Sequence, residues 1–289
     1  MYRKKRRISI GMPVFNGEAY IKESLDSILT QTYEDFELIV SDNASTDQTE
    51  EICRVYAEKD QRISYYRQKE NIGASKNFNN VFELSKGEFF KWAAHDDLCA
   101  PDYLRQCVEV LHKNPSVILC YSRSKAIDEH GEVIKNYPAK PDTGASKQQK
   151  RFYEIVCVPH PCVAVWGVMR ANVLKKTRLI GNYTGSDRPL LSELSLLGKF
   201  YEIPQYLFFY RNHSMQSWRA HPTWRSQQVW YDPTRCTKLT FPNWRLLWEH
   251  MLSIKRVPLS RPDRMWCYLY MGWWGRKHWK KLIHEMVSF

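Results

Sequence analysis

The chain has 289 residues, 43% of them hydrophobic and 26% charged, with a formal net charge of +12. That length supports one large domain, or a domain with a smaller appendage, burying about three quarters of its unfolded surface without disulfide or metal staples. No apolar run nears the ~20 residues of a membrane span, the basic start "MYRKKRRISIGMPVF" lacks a signal peptide's apolar core and cleavage site, and the eight cysteines include no Cys-x-x-Cys pair, so a reduced, cytoplasmic protein is expected.

The charge is uneven. "RKKRR" (3–7) contributes +5, residues 205 to 289 contribute +10, and the middle is about −3; nine of the 11 tryptophans also lie beyond 205. This shift in composition suggests a boundary near 210, with units 1–210 and 211–289.

In chain order, "RISIGMPVF" (7–15) reads as a strand. "EAYIKESLDSILTQ" places Tyr20/Ile21, Leu25 and Ile28/Leu29 on one helical face. "FELIVSDN" is a second strand, "STDQTEEICRVYAEK" a helix opening on cap-type residues, and "RISYYRQ" a third strand. "GASKNFNNVFELS" is a helix, "GEFFKWAAH" a fourth strand, "PDYLRQCVEVLHK" a helix with Pro at its start, and "SVILCYS" a fifth strand. This alternation predicts an α/β protein with a mostly parallel sheet and helices on both faces. Beyond 124 the pattern loosens: a hairpin around His130–Gly131, a polar loop over 136–150, a strand in "CVAVWGVMR" (162–170), a helix in "SDRPLLSELSLLG" (186–198), and strands in "FYEIPQYLFFYRNH".

Ligands of parallel sheets bind at the carboxyl ends of the strands. Four polar stretches sit there: "FNGE" (15–18), "SDNASTD" (41–47), "QKENIGASK" (68–76) and "HDD" (95–97). No Gly-x-Gly-x-x-Gly or Gly-Lys-Ser/Thr loop follows the first strand, which weakens dinucleotide and P-loop readings. Paired carboxylates at a strand end suit a hard divalent cation with phosphate co-ligands; the plainer account of "HDD" is an acid cluster before a helix N-terminus.

The pieces "MPVFNGEAYIKESLDSILTQTYEDFELIVSDNASTD", "ENIGASKNFN" and "HDD" followed by "LCAPDYL" together resemble the family-2 glycosyltransferases of GT-A fold. The resemblance covers about 200 residues and fades toward the C-terminus. It implies a nucleotide-sugar-binding GT-A catalytic domain over 1–210, with a donor half (1–124) and an acceptor half (125–210), followed by a basic, Trp-rich helical region (211–289). It places Pro13, Phe15, Asn16 and Glu18 in the nucleotide pocket, Asp42 at the base, and Asn71, Gly73 and Lys76 along the nucleotide and diphosphate. Asp96 would face the donor ribose or sugar, and Asp97 would bind Mn²⁺ or Mg²⁺. His213 in "YRNHSMQSW" sits where relatives have a metal-closing His, and no role is assigned to His95. Asp187 in "TGSDRPLLSEL" is the candidate base, although relatives often carry Glu-Asp where this chain has Ser-Asp; a helix N-cap is the competing account, and Glu193 and Asp232 are the fallback bases. Arg211 and Arg219 are expected to be solvated unless they screen phosphate.

The implied reaction is an inverting, metal-dependent transfer of one sugar from a nucleotide sugar, UDP by default, to a hydroxyl of a glycan or lipid-linked acceptor in surface-polysaccharide assembly. The Gln-x-x-Arg-Trp motif of processive members is absent. Two alternatives stand: a nucleotidyltransferase making nucleotide sugars, whose Gly-rich first loop is missing, and a non-catalytic carbohydrate- or membrane-binding protein. The helical spacing of apolar residues in 241–256 and 264–287 fits packing on the catalytic domain or a peripheral contact of 241–289 with anionic lipid on the cytoplasmic face. Nucleic acid is not expected as a partner, because no recognition module appears.

Overall fold

The computed structural model describes residues 7–137, 143–235 and 241–287. The basic run at 3–7, apart from Arg7, and the centre of the polar loop lie outside the described residues.

The first half alternates as its periodicities require: β1 (Ile8–Val14), α1 (Ile21–Leu29), β2 (Phe36–Asp42), α2 (Thr49–Lys59), β3 (Ile63–Arg67), α3 (Ala74–Glu83) and β4 (Phe89–Trp92). The apolar run of β1 is buried throughout, as a strand covered on both faces must be. Then come β5 (Leu98–Cys99), α4 (Tyr103–Lys113), β6 (Val117–Ile127), β7 (Val133–Asn136), α5 (Gln148–Cys157), β8 (Val168–Arg170), α6 (Ala171–Leu174), α7 (Asp187–Leu197) and β9 (Lys199–Arg211). The chain ends in α8 (Ser217–Ala220), α9 (Trp224–Tyr231), α10 (Pro242–Arg256), α11 (Arg261–Lys277) and α12 (Trp279–Val287).

One mixed sheet runs β3-β2-β1-β4-β8-β6-β9-β5, with β7 added to β6. β1 pairs in parallel with both β2 and β4. The chain therefore winds outward from β1 to β3 and returns to its other side at β4, so the order reverses between β1 and β4, where sheets of this kind open a crevice. β6 and β9 are parallel to each other, whereas β8 and β5 are antiparallel to their partners.

Several elements depart from the sequence expectation. Residues 162–170 form a 3₁₀ turn at Val163–Trp166 before the short β8, not one strand. A Cβ at the intervening Gly167 would lie 2.8 Å from the Cys120 carbonyl oxygen, so the backbone turns in close contact with β6. The expected strands after 199 are one, β9, whose register against β6 slips where Ile203 and Tyr206 face the adjacent Ser122 and Arg123. Pro204 and Gln205 sit in that bulge, a position that tolerates a missing N–H. The polar loop ends in helix α5, and β5 is too short to register in the sequence.

Two apolar clusters cover the two faces of the sheet. A third joins Phe152 of α5 and Leu196 of α7 to Ile254, Cys267, Met271 and Trp274 of α10 and α11. The C-terminal helices thus share a core with the sheet's helical layer. In that layer His250 is buried, with Nδ1 2.9 Å from the Ser192 hydroxyl. Burial, with the nearby Arg188 charge, pushes the imidazole down to about 3. Since the unfolded imidazole titrates near its ordinary value of about 6.5, the unfolded state binds the extra proton between those two values. Stability should be intact above about pH 6.5 and fall by about 1.4 kcal/mol per pH unit through that window, flattening near pH 3. His250→Asn, which keeps a donor for the Ser192 hydroxyl oxygen, should lose melting temperature less steeply between pH 7 and 5 than the parent chain in parallel melts.

Candidate active site

At the carboxyl ends of β1 and β4 lies a cavity of about 1600 Å³, larger than the ~300–1,000 Å³ of a typical small-ligand site. All four strand-end stretches reach it: Phe15 to Glu18 after β1, Asn43 and Asp47 after β2, Asn71 before α3 with Ala74 at its start, and His95 to Asp97 after β4. Lys135, Pro161 to Val163, Asp187 and the segment from Tyr210 to Pro233 close the other side.

The first loop is shaped by backbone demand. Asn16 adopts a left-handed φ of 51°, which Asn tolerates better than most residues. Its Oδ1 accepts from the Thr46 amide at 2.9 Å, and its own amide donates to Ser45 Oγ. Glu18 accepts from the Gln48 amide, and its amide donates to Asp47. The loops after β1 and β2 are thereby locked together, leaving Phe15 exposed at the rim. Pro13 lines the floor.

Asp96 and Asp97 are adjacent carboxylates in a site largely closed to water, where like charges repel. β5 pairs antiparallel with β9, Leu98 opposite Phe209, which brings Arg211 beside the pair. The Arg211 amide donates to Asp97 Oδ1 at 2.9 Å, and its Nε donates to the Asp96 carbonyl at 2.9 Å. The same fully buried guanidinium reaches the Glu129 carbonyl at 3.0 Å and Glu23 at 2.6 Å, and lies over the Tyr20 ring. Arg211 is therefore not the solvated side chain expected from the sequence; its backbone amide binds Asp97, and its buried guanidinium, paired with Glu23, braces the Asp96 backbone beside the acid pair. Lys91, buried in β4, adds a second charge beneath Asp97 while donating to the Trp92 carbonyl at 2.9 Å.

The two carboxylates differ in consequence. Burial opposes ionisation of Asp96, but His95 and the His213 Nε2 hydrogen bond at 2.9 Å hold its carboxyl below the usual range. Asp97 is pushed well above that range by burial and by the Asp96 charge, which the Arg211 amide and Lys91 only partly offset. Its Oδ2 is buried without a hydrogen-bond partner. A buried acceptor at a cavity wall with nothing donating to it suits a hard cation that takes its other oxygens from substrate and water. Among the described residues no three His, Cys, Asp or Glu side chains gather into an all-protein metal cage. His213 bonds Asp96, and its Nδ1 is buried without a partner.

Asp187 begins α7, behind Ser186, which makes no side-chain cap bond. The Cys162 thiol is pushed up by burial and by the nearby Asp187 charge. A half-buried carboxylate on the cavity wall can accept a proton from a substrate hydroxyl.

Three expected site residues do not line the cavity. Asp42 is fully buried, its oxygens taken by the Ser45 amide at 2.8 Å and the Tyr65 hydroxyl at 2.7 Å. Gly73 has a φ of 86° and is covered by the Tyr231 carbonyl and Pro233, while Lys76 is exposed on α3. Neither fallback base faces the cavity: Glu193 is paired with Arg256 at 2.6 Å, and Asp232 caps Thr234. Sequence reasoning missed Lys91, Tyr20 and Glu23 altogether. The signal for Lys91 was a lone charge inside the apolar strand "EFFKW".

The family model for glycosyl transferase family 2 matches residues 9–174. An uncharacterised glycosyltransferase of Rickettsia typhi is 38% identical over 144 residues, 49% of this chain and 43% of the relative. One of Methanocaldococcus jannaschii is 30% identical over 177 residues, 60% and 59% of the two chains. One of Haemophilus influenzae is 30% identical over 219 residues, 73% and 67% of the two chains. The matches thus span less than two thirds of the first two relatives' lengths. In fold, the chain resembles S. aureus TarS 1-349 in complex with UDP-GlcNAc, with a TM-score of 0.69 at 15% identity, covering 95% of this chain and 73% of that one. It also resembles the mannosyltransferase PcManGT from Pyrobaculum calidifontis in complex with GDP-Man and Mn²⁺, with a TM-score of 0.59 at 16% identity over 99% and 74%.

Asp97→Asn keeps the Oδ1 acceptor and removes a like charge, so it should melt no lower than the parent chain in thermal denaturation. Arg211→Met keeps the amide bond to Asp97 but leaves the buried Asp96 and Glu129 carbonyls without their guanidinium donor, so it should cost about 2 kcal/mol or more in urea denaturation. Equal destabilisation by both changes would contradict this account of the clamp.

Proposed function

The chain belongs to glycosyl transferase family 2, and from that premise we propose that it moves one sugar from a nucleotide sugar, UDP by default, to a hydroxyl of a glycan or lipid-linked acceptor in surface-polysaccharide assembly. The observation carrying this reading is the convergence of four strand-end loops on one cavity that holds both the open oxygen of Asp97 and the carboxylate of Asp187. Its GT-A relatives in fold were solved with UDP-GlcNAc and with GDP-Man and Mn²⁺, which supports a nucleotide-sugar donor.

In this reading residues 1–124 hold the donor, 125–210 the acceptor, and 211–289 complete the cavity and contact the membrane peripherally, on the cytoplasmic face. Phe15 and the Asn16–Glu18 loop flank the nucleotide, with Asn71 opposite. Asp97, with His213 nearby, would hold Mn²⁺ or Mg²⁺; when bound, the cation offsets charge on the leaving diphosphate. Asp96, fixed by His213, orients the donor sugar. Asp187 takes the acceptor proton as the hydroxyl oxygen bonds to the anomeric carbon from the face opposite the leaving group. The bond to the β-phosphate oxygen breaks, the nucleoside diphosphate departs, and configuration inverts.

A panel of nucleotide sugars with Mn²⁺ should release nucleoside diphosphate with at least one donor. Asp187→Asn should lower kcat by about 10²–10⁴-fold with little change in donor affinity. Release of pyrophosphate from a nucleoside triphosphate would instead favour nucleotidyl transfer, and unchanged turnover in Asp187→Asn would remove that residue as the base.

A further inference from the structure

Helix α11 is apolar on two opposite sides. Cys267, Met271 and Trp274 face the core shared with α5 and α10. On the far side Met265, Trp266, Leu269 and Trp273 form a stripe about 100° wide at the helical repeat, each 45–57% exposed. Helix α12 repeats the arrangement: Leu282 and Glu285 are buried, while Trp279, Ile283, Met286 and Val287 share the outward side at 50–76% exposure. Exposed apolar side chains scattered singly need no explanation, but two successive helices with continuous outward stripes do.

The charges around these stripes are of one sign. Arg261, Arg276, Lys277, Lys280 and Lys281 are exposed. The two acids in the same span are occupied: Asp263 caps α11 with Ser260, and Glu285 is buried, accepting from the Asn243 amide at 2.9 Å. Lys277 and Lys280 lie against the Trp273 and Trp279 rings, at 5.4 and 5.8 Å from their centroids, so cations and aromatics form one surface. No helix among the described residues is long and apolar enough to cross a membrane.

We propose that the outward sides of α11 and α12 dock this protein on the surface of an anionic lipid bilayer. The helices lie in the interface with tryptophans at headgroup depth and lysines against lipid phosphate. The inference narrows the membrane contact of the proposed function to these two helices and to anionic headgroups, and rests on that reading for its purpose, which is to bring the cavity to an acceptor anchored in the bilayer.

The test is flotation of the full chain with phosphatidylcholine vesicles, with and without phosphatidylglycerol, alongside calorimetry with UDP and Mn²⁺. The chain should float with the anionic vesicles and lose that binding in high salt. Trp266→Ser/Leu269→Ser/Trp273→Ser should abolish flotation. Lys277→Gln/Lys280→Gln/Lys281→Gln should weaken it on the order of a hundredfold at low salt, from about a fivefold loss per charge. Both variants should keep the parent's UDP titration, which also reports that they fold. Equal flotation with neutral and anionic vesicles, or none with either, overturns the proposal even where UDP binds. Flotation without UDP binding sinks the transferase reading instead. A concentration-dependent dimer in sedimentation that disappears in the tryptophan variant, with no flotation of the parent, would assign the surface to a second copy of the chain and overturn the proposal as well.

Discussion

The buried contact between Arg211 and the Asp96–Asp97 pair is the constraint on which the rest of the site depends. Two carboxylates at the end of β4 cannot be withdrawn from water without a compensating cation. This fold supplies positive charge from Lys91 inside β4 and from Arg211, the last residue of β9, more than a hundred positions away. The two-residue β5 matters for that reason: its pairing with β9 sets Arg211 against the acids. The guanidinium also holds the hairpin carbonyl of Glu129 and the α1 carboxylate of Glu23. One side chain thus ties α1 and the loop after β4 to the hairpin between β6 and β7 at the cavity's edge.

The clamp is asymmetric, and the asymmetry is chemically useful. Asp96 is tied by His213, and Asp97 Oδ1 by the Arg211 amide, while Asp97 Oδ2 is left open. A fully satisfied pair would be a structural ion cluster with nothing to offer a ligand. Without these contacts the pair would take up a proton still more readily, since burial and the Asp96 charge already hold Asp97 well above the ordinary carboxylate range. Holding one oxygen of each carboxylate while leaving Asp97 Oδ2 without a donor gives a preorganised acceptor that a hard cation can use without rearranging the protein.

The fold was largely legible in the sequence because parallel strands buried on both faces are short apolar runs, and their ends are marked by a switch to polar residues. The four loops and their convergence follow from that alternation. Side-chain direction is not written there. Asp42 and Asp47 share one polar stretch, yet the first turns inward to Ser45 and Tyr65 and the second meets the cavity. Arg211 looks like any surface arginine until the β5–β9 register buries it. The return of Tyr210 to Pro233 to the cavity depends on Tyr231 accepting from Ser75 Oγ at 2.8 Å, a contact spanning more than 150 residues that no local pattern encodes. Lys91 was the missed signal, since a lysine inside a buried strand requires a partner.

The C-terminal helices bear on the chemistry through α7, whose first residue is Asp187. From Pro189 to Leu196 that helix is buried, and its polar groups are met from outside. Glu193 receives both Nε and Nη2 of Arg256, Ser192 meets His250, and the Ser195 carbonyl accepts from Arg151 at 2.7 Å. Arg256 and His250 belong to α10, which is packed in turn on α11. Buried polar contacts of this kind tolerate little displacement, because each unmade bond leaves a desolvated group. The position of Asp187 is therefore set by a chain of contacts running from α10 through α7, and a load on α11 and α12, such as adsorption to a surface, is applied to the same framework that carries the candidate base.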